Sequence, residues 1–148
     1  MHIIDSHFHW WPRSVFETLC KRTDYPRSMP NDQGCYLNLL QPGTDYVLDS
    51  WPAWFDLDEQ LEHMDNLGHR IDVVGSIGPF SVYFSALPKE EGRDLAIQWN
   101  EEMAWAQRRY PGRFWGSAAI PFQDEKIAMD VLEDAIGRLG LMGVNLPG

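Results

Sequence analysis

The sequence predicts an α/β chain built on a parallel β-sheet. Short apolar runs of strand character alternate with longer segments of helical period, and turn residues stand at the junctions. Alternating elements of these lengths place helices over a sheet of parallel strands.

The first strand runs from Ile3 to His9. From Trp10 to about Phe55 the pattern turns irregular, with Pro12, Pro26, Pro30, Gly34, Pro42, Gly43 and Pro52 marking turns. A structureless loop of that length is rare inside a compact domain, so the stretch reads as an insertion with short helices of its own, Ser14 to Lys21 among them. Asp56 opens the next helix with capping-box spacing to Glu59. Leu57, Leu61, Met64 and Leu67 form its apolar stripe, and Gly68 stops it. The second strand is Ile71 to Ile77, closed by Gly78-Pro79. A helix from Asp94 to Tyr110 repeats Leu95, Trp99, Met103, Ala106 and Tyr110 every three or four residues, and Pro111-Gly112 ends it. The third strand, Phe114 to Ile120, stops at Pro121. Asp124 caps a third helix that buries Ala128, Val131, Leu132, Ala135, Ile136 and Leu139, with Gly140 at its C-terminus. The fourth strand is Leu141 to Leu146, and Pro147-Gly148 ends it. The order is β-α-β-α-β-α-β in one domain over residues 1–148.

Composition narrows the function. The 148 residues are 44% hydrophobic and 23% charged, as in ordinary soluble domains. A formal net charge of −10 argues against a sequence-independent grip on nucleic acid, which needs clustered Lys and Arg. Cys20 and Cys35 are too few for a disulfide framework and read as free thiols. The start shows no basic stretch followed by an apolar run, and no stretch of about 18 apolar residues is present. A cytoplasmic enzyme without membrane contact is therefore expected. Seven tryptophans offer large surfaces for a ligand pocket.

The chemistry gathers in His7-Phe8-His9. Alternation along a strand puts Ile3, Asp5, His7 and His9 on one face and Ile4, Ser6 and Phe8 on the other. Two imidazoles so spaced reach one metal ion through bonds of about 2.0–2.1 Å. They stand at the C-terminal end of the strand, where active sites of parallel α/β proteins gather. Asp5, one layer below His7, is placed to support a histidine.

The run Asp5-Ser6-His7-Phe8-His9, followed by Pro12, resembles the opening of the amidohydrolase superfamily. It is most similar to the branch that includes aminocarboxymuconate-semialdehyde decarboxylase and related aromatic-acid decarboxylases. Leu61-Glu62-His63-Met64-Asp65, Asn100 with Tyr110-Pro111-Gly112-Arg113-Phe114, Ala119 to Asp124, and Gly140 to Leu146 resemble that branch too, in order and spacing. The resemblance covers nearly the whole chain apart from the insertion. It implies a (β/α)8 TIM barrel of which the first four β/α units are present here. It also implies a divalent metal, zinc by preference with manganese or another ion as the alternative, held by His7 and His9, a histidine after the fifth strand and an aspartate after the eighth.

The later ligands have no counterpart in this sequence. His2, His63 and His69 all lie away from the strand ends that would supply them. A barrel of this type needs about 250 residues. The chain therefore reads as a fragment, as half of a barrel completed by a second chain, or as a half-barrel that pairs with a second copy. Arg13 is a candidate partner for a substrate carboxylate. Trp51, with Trp10, Trp11, Trp54 and Phe55, is a candidate apolar wall for a planar substrate. Phe80, Phe122 and Asn145, at or just past strand ends, are candidates for substrate contact. The function expected is metal-dependent non-oxidative decarboxylation or hydrolysis of a small carboxylated or cyclic compound. The alternative is a non-catalytic fragment or half-barrel subunit. No Gly-rich phosphate loop follows any strand.

Overall fold

The computed structural model describes residues 2–39, 47–75, 78 and 80–146. The expected turn at Pro42-Gly43, the end of the second expected strand at Ile77 and Pro79, and the stop at Pro147-Gly148 lie outside them.

Four strands form a parallel sheet: β1 (His2–Phe8), then β5 (Arg70–Gly75), β6 (Phe114–Ala118) and β7 (Gly143–Val144), in that spatial order. Strand order follows chain order with no reversal. This is the winding of a barrel wall, and a doubly wound sheet would reverse direction at a switch point. α2 (Leu57–Asp65) connects β1 to β5, α3 (Phe80–Ser85) and α4 (Lys89–Arg109) connect β5 to β6, and α5 (Glu125–Gly137) connects β6 to β7. The Asp56 carboxylate accepts from the Glu59 N–H at 2.9 Å, and that of Asp124 accepts from Ile127 at 3.1 Å, so both expected caps are formed. Gly68 and Gly140, with φ of +73° and +69°, end their helices in the left-handed conformation that only glycine adopts cheaply.

The insertion departs from expectation. It holds the helix α1 (Arg13–Leu19), but also an antiparallel sheet of three short strands, β2 (Arg27–Pro30), β3 (Tyr36–Leu39) and β4 (Val47–Asp49). α1 buries Val15, Phe16 and Leu19, and Phe16 stacks on Tyr36 of that sheet at 5.4 Å.

The core lies on one face of the main sheet. Val73 and Phe114 are fully buried there, and a Cβ on Gly116 would stand 3.2 Å from Cβ of Met103 in α4. The other face carries no helix among the described residues, and Ile4 on that face is 63% exposed. Four same-handed β/α units put all their helices on one side, and the interior of a barrel is filled only when the wall closes.

Candidate metal centre

Register decides which way the histidines face. Asp5 pairs with Val73 and Phe8 with Gly75, so β1 takes three steps where β5 takes two. Partners in a parallel pair project to the same side, and a Cβ on Gly75 would touch the rings of both Phe114 and Phe8. Asp5 and Phe8 therefore both belong to the helix-covered face. This corrects the expected alternation, which put Asp5 with the histidines and Phe8 opposite them. The extra residue is a bulge, which resets the alternation. His7 and His9 consequently belong to the open face.

There the two imidazoles meet edge to face, with ring centres 4.9 Å apart. Two imidazoles bound to one ion through bonds of about 2.0–2.1 Å have centres about 5 Å apart at a tetrahedral angle, so the pair fits two ligands of one metal. No group of three or more His, Cys, Asp or Glu side chains suited to an ion occurs among the described residues. The fit is thus to part of a ligand set.

Several elements hold this end of β1. The Trp11 N–H donates to the Trp54 carbonyl at 2.7 Å, tying the strand exit to the insertion. Gln60 of α2 donates through Nε2 to the His9 carbonyl at 3.1 Å and also to the Ala53 carbonyl. Sequence reasoning missed Gln60, since a glutamine on a helix carries no distinguishing pattern. Trp11 and Trp54 approach the His9 ring to 6.2 and 6.3 Å.

The structure brings together only part of the predicted set. The Asp5 carboxylate accepts from the main-chain N–H of His7 at 2.9 Å. Arg13, at the start of α1, donates to the Gly34 carbonyl at 3.2 Å and lies 4.8 Å over the Phe55 ring. Burial pushes the neighbouring Tyr36 hydroxyl up despite its hydrogen bond with Arg13. Of the expected aromatic wall, Trp10, Trp11 and Phe55 are core residues, Trp54 is half-buried and Trp51 is exposed. Phe80, in α3, is 1% exposed and stacks on Trp99 at 4.1 Å. Phe122 is exposed just past β6. Asn145 donates its amide to the Gly78 carbonyl at 2.6 Å and takes the Ser81 hydroxyl on its own carbonyl, bracing the ends of β5 and β7. Arg27 was not foreseen. Its Nε and the Trp11 indole N–H are buried donors without a partner among the described residues, and both residues line one small cavity with Phe16, Phe80 and Tyr83. That cavity, about 10 Å³, has room for about one water.

No family model matches this sequence. Solved structures do resemble the fold. The 5-carboxyvanillate decarboxylase of Sphingomonas paucimobilis superposes with a TM-score of 0.68 at 20% identity, covering 97% of this chain and 42% of that one. An amidohydrolase from Staphylococcus aureus gives 0.62 at 17% identity, covering 100% of this chain and 38% of its own. The chain has the fold of the N-terminal part of amidohydrolase-type barrels. A dihydroxybenzoic acid decarboxylase from Polaromonas, solved with bound manganese and the inhibitor 2-nitroresorcinol, gives 0.57 at 19% identity, covering 99% of this chain and 38% of that one. Against these amidohydrolase-type structures the chain spans only 38–42% of the partner's length. No described helix is long and apolar enough to cross a membrane.

Proposed function

We propose that the chain is the N-terminal half of a metal-dependent amidohydrolase-type enzyme that decarboxylates or hydrolyses a small carboxylated or cyclic compound. The observation that carries this reading is the meeting of His7 and His9 at 4.9 Å on the open face, at the C-terminal end of the first strand of a sequentially wound parallel sheet. Zinc is the preferred ion on the chemistry of two imidazoles, and the manganese in the Polaromonas relative makes it the alternative. When bound, the ion supplies charge that polarises a substrate oxygen or acidifies a bound water. The chain's own residues hold it and shape its surroundings. Gln60 anchors the His9 main chain, and Trp11 and Trp54 flank the His9 ring with apolar surface.

Decarboxylation is preferred over hydrolysis because two of the three relatives described are named decarboxylases. A carboxylated substrate needs a cation, and Arg13, exposed at the start of α1 just past the histidine pair, is the candidate. The sheet face that carries no helix among the described residues supports a second reading, a half-barrel subunit that acts only with a partner chain or copy. Calorimetric titration with Zn²⁺ and Mn²⁺ tests the site: His7→Ala and His9→Ala should each abolish the binding that the unmodified chain shows. Equal binding by the double variant would sink the proposal. On the completed enzyme, release of carbon dioxide without incorporation of water marks the decarboxylase.

A further inference from the structure

We infer that Asp5 is the positioning residue that turns His7 onto the open face, acting through the main chain and not on an imidazole. The inference rests on the reading of His7 and His9 as metal ligands.

Strict alternation from Asp5 carries His7 to Asp5's own face. That face is the helix-covered one, where Asp5 pairs with Val73 and where Val73 and Phe114 leave no exposed surface. A metal held there would stand in a packed apolar layer. The extra residue between Asp5 and Phe8 removes this conflict: Phe8, 6% exposed, takes the place on the buried face, and His7 and His9 are left on the other.

A bulge releases main-chain groups from the ladder, and each released N–H needs an acceptor. The His7 N–H finds one two residues back, in the Asp5 carboxylate at 2.9 Å. An aspartate or asparagine oxygen closes this short ring naturally, and a longer side chain does not. Asp5 thus stabilises the irregular turn of the strand, and the direction of His7 follows from it. The role requires an acceptor oxygen at that reach and does not require a charge.

That difference makes the role testable in the full 148-residue chain. Asp5→Asn keeps the acceptor and loses the charge, whereas Asp5→Ala and Asp5→Glu lose the short acceptor. Two readouts apply: the nuclear Overhauser contact between the His7 and His9 ring protons in metal-free protein, and Zn²⁺ affinity by calorimetry. Asp5→Asn should keep the ring contact and bind within about twofold of the unmodified chain, while Asp5→Ala should lose the contact and bind about tenfold or more weakly, as for other groups that orient metal ligands. Ring contact retained in Asp5→Ala overturns the inference. So does its loss in folded Asp5→Asn, which would make the charge the active feature, and that variant alone decides if Asp5→Ala does not fold. If the unmodified chain binds no Zn²⁺, the metal reading fails while the ring contact still decides the role of Asp5.

Discussion

Asn100 of α4 holds both main-chain groups of Ala119. Its Nδ2 donates to the Ala119 carbonyl at 3.1 Å, and its Oδ1 accepts from the Ala119 N–H at 2.8 Å. The side chain is 1% exposed, so no water can replace it. The amide continues the β6 ladder beyond Ala118 and fixes the strand exit that leads to Phe122. Asn100→Ala leaves two buried main-chain groups unpaired and should destabilise the fold by about 2–4 kcal/mol. Urea unfolding checks this, and a loss below about 1 kcal/mol would show that the strand exit relaxes to find other partners.

Gly92 lies in the first turns of α4, where helix propensity alone favours alanine by about 1 kcal/mol. Packing opposes that preference. A Cβ at Gly92 would lie well inside contact distance of the Phe84 carbonyl oxygen at the end of α3, a main-chain atom that cannot swing aside. Gly92→Ala should therefore destabilise by about 1–3 kcal/mol. Thermal unfolding decides between the two effects, and a raised Tm would mean that α3 moves freely against α4.

The elements legible in the sequence are those with long periods and explicit caps. Asp56, Asp124, Gly68 and Gly140 act in the structure as their chemistry demands. α4 begins at Lys89, five residues before the expected Asp94, because Gly92 interrupts the apolar pattern while tertiary packing continues the helix through it. The short strands β2, β3 and β4 span three or four residues each, too few for a period to show. β7 shrinks from the expected Leu141–Leu146 to Gly143–Val144, since it has a single neighbour, β6. The histidine pair was legible as a motif, but its direction was not. The bulge that sets it depends on pairing with β5, which lies some seventy residues away in sequence.

Asp124 does two things at the start of α5. It caps the helix through Ile127 and pairs with Lys89 at 2.8 Å, and the Lys89 ammonium, with the helix N–H groups, holds its carboxyl below the ordinary 3.8. A carboxyl lowered by folding contributes stability that is fully present above its unfolded value and lost as pH falls through the folded one. The loss therefore falls in the window from about 3.8 downward. Asp124→Ala should lower Tm by about 3–5 °C at neutral pH and flatten the fall of Tm below pH 4. Melting curves at several pH values read both. An unchanged acid limb would mean that other carboxylates dominate it.

The free edge of the sheet at β7 carries the last prediction. Met142 and Leu146, which flank β7, are 65% and 61% exposed, and on the neighbouring helix Met129 and Ile136 are 48% and 45% exposed. β7 also pairs on one side only among the described residues. Large apolar side chains next to an unpaired strand edge favour association, and a lysine at such an edge opposes it. The 148-residue chain should accordingly self-associate at micromolar concentration. Met142→Lys and Leu146→Lys should each weaken that association about tenfold, about 1.4 kcal/mol, without lowering Tm, since neither side chain is buried in the single chain. Gln33→Lys, at an exposed position in the turn between β2 and β3, should leave association unchanged and serves as the control. Sedimentation velocity over a concentration series measures it. A chain that stays monomeric throughout would show that the β7 edge tolerates water, and the partner-dependent reading would lose its physical basis.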